Sequence, residues 1–146
     1  MKRIIFVLLV VAAFMGATGC KSATGPDADS FIGTWNATKA EYVSVANSST
    51  KDEIIAKGST LTLVFAASTF VLTVTDPGAS PVISNGTWSK STDTLTLTWI
   101  TGFSGESQFD FTLDGDSLTL TGGHLPHAFT AGSPEEAILT LNLVRQ

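Results

Sequence analysis

Thr94-Leu95-Thr96-Leu97-Thr98-Trp99 places a threonine at every even position and an apolar side chain at every odd one. Successive side chains of a strand point to opposite faces, so this stretch has one apolar face and one hydroxyl face. An amphipathic helix needs a 3.6-residue period, which the stretch lacks. The pattern recurs on both sides. Downstream, Phe109, Phe111 and Leu113 alternate with Gln108, Asp110 and Thr112; Leu118 and Leu120 with Ser117, Thr119 and Thr121; Leu139, Leu141 and Leu143 with Thr140 and Asn142. Upstream, Phe70, Leu72 and Val74 alternate with Thr69, Val71, Thr73 and Thr75, and Leu61, Leu63 and Phe65 with Thr60, Thr62 and Val64.

Turn residues punctuate these runs. Asp76-Pro77-Gly78 follows one, Ser91-Thr92-Asp93 precedes another, Asp114-Gly115-Asp116 joins two as a hairpin, and Ser133-Pro134-Glu135 precedes the last. A first strand from Phe31 to about Val45 and one from Ile83 to Lys90 bring the total to eight. The connections are short, so sequential strands pair antiparallel. The predicted fold is all-β: an eight-stranded antiparallel up-and-down β-barrel, which leaves no exposed edge. A two-sheet sandwich is the alternative. A short helix between strands 1 and 2 is the one helical candidate, because Thr50-Lys51-Asp52-Glu53 fits a capping box and Gly58 a C-terminal stop.

The chain begins with a basic stretch, Lys2 and Arg3, then an apolar run from Ile4 to Phe14, then small residues. That is the layout of a secretory signal. The run is too short to span a bilayer, which takes about 20 apolar residues. Ala17-Thr18-Gly19-Cys20 resembles the lipobox of bacterial lipoproteins, in which the cysteine is lipidated and the signal cut off before it. Residues 1–19 are thus read as a signal peptide, residues 20–30 as lipidated Cys20 and a small, polar tether, and residues 31–146 as the barrel. The resemblance implies a membrane partner through lipid on Cys20. Lys21 is not the aspartate that retains many such proteins at the inner membrane, so an outer-membrane address in the cell envelope is expected. Each buried acyl CH₂ contributes about 0.8 kcal/mol, so more than one chain anchors firmly.

The full chain carries 8 basic and 13 acidic side chains. Removing Lys2 and Arg3 with the signal makes it two charges more acidic, which argues against nucleic acid and against basic-patch adhesion to anionic lipid. Cys20 is the single cysteine. Once it carries lipid, the core alone must hold the fold.

Ile32-Gly33-Thr34-Trp35 and Asn85-Gly86-Thr87-Trp88 repeat one pattern, and the chain ends in Leu143-Val144-Arg145-Gln146. The first resembles the glycine-any-tryptophan signature of lipocalins, and the combination is similar to bacterial lipocalin-like lipoproteins. That resemblance implies that Arg145 packs over Trp35 and closes one barrel end. A guanidinium within about 6 Å of the ring centroid is the criterion, and such a contact contributes about 0.5–2 kcal/mol. The chain lacks the lipocalin disulfide and the helix that follows their barrel, so no specific ligand carries over.

Chemistry-bearing residues are sparse. His124 and His127 flank Leu125-Pro126 with no ligand set to complete a zinc site, and are read as loop residues. Asp114 and Asp116 are read as hairpin residues, Glu135 and Glu136 as solvated. Glu106 and Asp110 have no partner, and Ser104 lacks a nucleophile elbow. No enzyme, no cofactor and no metal are expected. The inward-facing apolar residues Phe65, Phe70, Leu72, Leu97, Trp99, Phe109, Phe111 and Leu120 are the candidate cavity lining, beside Trp35, Leu118 and Leu141. An empty pocket of about 300 Å³ would cost on the order of 7 kcal/mol at ~24 cal/mol per Å³. Total stability is only about 5–15 kcal/mol. The barrel is therefore expected to be largely packed, or to open modestly at one mouth. Two functions follow: binding of a small hydrophobic ligand, or a packed scaffold that contacts another protein through apolar loop residues such as Phe103 and Leu125 to Phe129.

Overall fold

The computed structural model describes residues 26–146. After a single 3-10 turn at Ala28–Phe31, nine strands follow: β1 (Gly33–Ser44), β2 (Lys51–Glu53), β3 (Thr60–Phe65), β4 (Thr69–Thr75), β5 (Val82–Lys90), β6 (Thr94–Thr101), β7 (Glu106–Asp114), β8 (Ser117–Thr130) and β9 (Ser133–Arg145). From β3 to β9 each strand pairs antiparallel with the next. The sheet closes where β1 pairs with β9, from Trp35↔Arg145 to Ser44↔Ala137. The other edge of β1 is shared: β3 takes its first residues (Gly33↔Phe65 to Asn36↔Thr62) and β2 its later ones (Glu41↔Glu53 to Val43↔Lys51). β2 and β3 thus act as one interrupted stave, and the architecture is a closed eight-stranded antiparallel barrel with almost no helix. The sandwich alternative is excluded by the β1–β9 pairing.

Alternation sets the burial. Along β6 every odd residue from Leu95 to Trp99 is buried and the threonines between are half-exposed. The same face of every strand turns inward, giving one continuous core that includes Trp35, Phe65, Phe70, Leu97, Phe109, Leu120 and Leu141.

Four expectations are corrected. The helix between strands 1 and 2 does not form: Lys51–Glu53 is strand and Ile54–Gly58 is a series of turns. Two helical turns cannot offset their nucleation cost, whereas the free edge of β1 offers a ready ladder. The Glu53 carboxylate does cap, but it caps a turn, accepting from the backbone N–H groups of Ala40, Ile55 and Ala56. His124 and His127 are on strand β8 rather than in a loop. β8 and β9 run on as a two-stranded hairpin, with Thr130↔Ser133 at its tip, so Ser133-Pro134-Glu135 is strand as well. The β7–β8 ladder ends at Asp110↔Thr121, so β8 has no strand partner on that side beyond this point. Pro126 is tolerated there because one edge of β8 is free. Finally, Leu125 to Phe129 and Phe103 do not make an exposed apolar patch: Leu125 is buried, and Phe103 and Phe129 pack half-buried on the core.

Glycine 123 shows how tightly the wall is drawn. A Cβ there would fall 1.9 Å from a ring carbon of Phe109. β8 crosses the Phe109 ring at a bulge between Leu120 and Gly123, and only hydrogen fits.

Candidate functional site

The two barrel ends are built differently. At the floor, where β1 begins and β9 ends, the Arg145 guanidinium carbon sits 4.3 Å from the centroid of the Trp35 ring. Trp35 is fully buried and donates its indole N–H to Phe31 O at 2.8 Å. Arg145 donates to Ile32 O at 2.7 Å and to Ser30 O, and its Nε lies 3.3 Å from Asp116. A Cβ on Gly33, whose φ is +139°, would meet Arg145 Nη1 at 2.9 Å. The glycine is what lets the arginine cross the chain. Ser30 and Phe31, where the expected tether meets the domain, are therefore built into the floor. Phe31 is buried and edge-on to Phe65 and Phe111, 6.2 and 5.0 Å between centroids. Trp88, from the second Gly-Thr-Trp, joins the same cluster and bonds Ala66 O at 2.8 Å. The floor is sealed.

Of the candidate lining residues, Phe65, Phe70, Leu72, Leu97, Trp99, Phe109 and Leu120 are buried. Phe111 also faces inward but is half-buried, covered by the Phe31 ring. Trp99 lies edge-on between Phe70 and Phe103, 4.8 Å from each. Its indole N–H donates to Ser107 Oγ at 3.0 Å, and the Ser107 hydroxyl donates in turn to His124 O at 2.8 Å. That relay bridges β7 and β8 beyond the point where their ladder ends. The interior carries no charge at this level. The described surface depressions lie outside the barrel, lined for example by Asp27–Ser30 or by Glu106, Asp110 and His124, with no interior aromatic among them.

The opposite end, the mouth, holds a constellation that local sequence patterns do not reveal. Tyr42 on β1 pairs directly with Asp52 on β2, so both point inward. From β8, His127 reaches over them. Its ring is stacked on Tyr42, 3.9 Å between centroids and 8° between planes. His127 Nε2 lies 3.0 Å from Asp52 Oδ2, and Lys57 Nζ lies 2.6 Å from Asp52 Oδ1. Phe129 meets the His127 ring edge-on at 4.8 Å. Burial pushes the Asp52 carboxyl up, but the hydrogen bonds and charges of Lys57 and His127 outweigh it and hold the group below its ordinary value. Ionised, Asp52 can only accept, so Nε2 carries the proton. Burial, with Asp52 and Asp76 adding repulsion, pushes the Tyr42 phenol up to about 12. His124 faces outward and bonds Glu136, Nδ1 to Oε1 at 2.6 Å. The two histidines thus face opposite sides of β8. No group of three or more His, Cys, Asp or Glu side chains among the described residues is placed to hold a metal ion.

The model of a lipocalin-like domain family matches residues 31–121 of this chain. The chain belongs to the lipocalin-like family. No curated protein and no solved structure matches the chain. In this lipocalin-like chain the match ends one residue before the Gly122-Gly123 bulge, so it spans β1 to the first part of β8 and leaves the outer hairpin and the barrel-closing β9 beyond it. Cys20, the expected lipid attachment, lies outside the described residues.

Tyr42, Lys57 and the role of Asp52 escaped the sequence reading. His127 and Asp52 are 75 residues apart, and no local pattern couples them.

Proposed function

We propose that this chain is a lipid-anchored envelope protein, lipidated at Cys20 with the outer membrane favoured, whose lipocalin-like barrel binds a small hydrophobic ligand through its mouth and performs no catalysis. The observation that carries the reading is the asymmetry of the two ends. The floor is locked by Arg145, Trp35 and an aromatic plug, whereas the mouth is covered by a hairpin bound to a strand on one side only. Between them lies an apolar, uncharged interior, the kind of surface that small-molecule sites use. Titration of a fluorescent apolar probe into the protein tests the binding. Saturable uptake at one site supports it, and linear partitioning contradicts it. The anchor is tested separately by the mass of the mature N-terminal peptide, which should carry acyl chains on Cys20 and lose them in Cys20→Ser. A second reading, a packed scaffold acting through protein contacts, is favoured by how completely the interior side chains are buried. It predicts no probe uptake and a protein retained on an affinity column.

A further inference from the structure

The His127 imidazole at the mouth is surrounded as a bound ligand would be. Its face lies on Tyr42, its edge meets Phe129, and its ring N–H donates to one oxygen of Asp52 while Lys57 holds the other. Yet this occupant belongs to an arm, Pro126 to Glu136, that projects past the end of the β7–β8 ladder and has a register irregularity between His127 and Thr130. Along this arm β8 pairs only with β9, and what fixes it to the mouth is largely His127 itself, with Phe129 and the Val45 N–H to Glu136 O bond.

We propose that the slot formed by Tyr42 and Asp52 is a binding site for a small planar molecule with a ring N–H, a nitrogen heteroaromatic, and that His127 is its built-in, displaceable occupant. The inference rests on the ligand reading above and narrows it, since the ligand must be flat and must donate a hydrogen bond. Charge points the same way. The titratable groups around the slot are Tyr42 on β1, Asp52 on β2, Lys57 in the turn after it, Asp76 (bonded to Ser59) and Glu135, which faces His127 across the hairpin. Acids outnumber the single lysine, and Lys57 is already engaged by Asp52. A donor is accepted there and a carboxylate is repelled. An internal occupant also lowers apparent affinity by the fraction of time the slot is filled, so removing it must tighten binding.

Benzimidazole is the probe, with naphthalene as the flat molecule that cannot donate, both titrated calorimetrically into the full chain reconstituted in nanodiscs. Wild-type protein should bind benzimidazole, and backbone exchange over residues 126–136 should quicken as it binds. His127→Ala should bind it about tenfold or more tightly. Adding Asp52→Asn should cancel that gain, naphthalene should be indifferent to Asp52, and His124→Ala should behave as wild type. A second measurement needs no variant. The chain has two histidines, and saturating benzimidazole should move one imidazole resonance out of the Tyr42 ring current. The proposal is overturned if folded His127→Ala binds benzimidazole no more tightly than wild type, or if binding leaves the arm and both histidine resonances unchanged. Saturable uptake of apolar probes alongside either result would leave the ligand reading standing. Absence of uptake by any variant would remove both.

Discussion

Arg145 and Tyr42 each show one side chain answering to several neighbours. Arg145 stacks on Trp35 and holds two backbone carbonyls of the segment that enters the barrel. Arg145→Ala should therefore destabilise the fold by about 2 kcal/mol, combining a lost cation–π contact with carbonyls left short of a donor. Arg145→Lys should recover only part of this in a denaturant titration, because an ammonium cannot span both carbonyls and the ring. Tyr42 is the single tyrosine of the chain, so an alkaline ultraviolet titration reads it alone. Its midpoint should stand near 12 rather than the ordinary 10.0, and fall back in Asp52→Asn, which removes one of the charges that raise it. Only one of the two is accessible to sequence reading. Arg145 was singled out by resemblance to lipocalins, whereas nothing near Tyr42 announces a partner, since its contacts come from β2 and β8.

Elements with an uninterrupted period of two were legible, and those that break it were not. Leu95 to Trp99 or Phe70 to Val74 leave no choice but a half-buried strand. β8 runs from Ser117 to Thr130, but Gly122, Gly123 and Pro126 interrupt its alternation, so its outer half reads as a loop. What overrides the local signal is the partner strand, since β9 supplies a ladder that tolerates a bulge and an edge proline. β2 was hidden for the opposite reason. Its three residues are too few to show a period, and the Thr50–Glu53 capping pattern pointed to a helix. The bulge is testable through Gly123→Ala. The added methyl must displace the Phe109 ring, and a loss of about 1–3 kcal/mol is expected, read from the thermal or denaturant midpoint. β2 is testable through pH. Asp52 and Glu53 both titrate below their ordinary values of 3.8 and 4.5, Asp52 through Lys57 and His127, Glu53 through three backbone N–H groups, in each case against the opposing push of burial. A depressed folded pKa stabilises above the unfolded value and is lost as pH falls through the folded one. Stability should thus hold at neutral pH and decline below about pH 4, with a shallower decline in the double variant Asp52→Asn, Glu53→Gln.

At the scale of the whole molecule, both ends of a closed barrel join segments remote in sequence, but the floor is fixed by residues of recognisable motifs, Phe31, Trp35, Trp88 and Arg145, and the mouth by residues that carry none. This division explains what sequence reading reaches. The floor draws on two Gly-Thr-Trp repeats and a terminal arginine, each recognisable where it stands. The mouth joins Tyr42, Asp52, Lys57 and His127, residues without a shared motif that only the register of β1, β2 and β8 brings together. It is also why we place the proposed function at the mouth, since coupling of side chains across a one-sided hairpin can be broken without opening the β1–β9 ladder. The central claim is that this barrel holds a small hydrophobic ligand. The most direct measurement is native mass spectrometry of the mature protein purified from the cells that make it, beside Phe103→Glu, which places a charge at the half-buried position against Trp99 in the β6–β7 turn. A discrete, reproducible mass adduct on wild type, absent from the folded variant and released by organic extraction, is the predicted result. A clean apo mass, unchanged after incubation with envelope lipids and planar heteroaromatics, would contradict it.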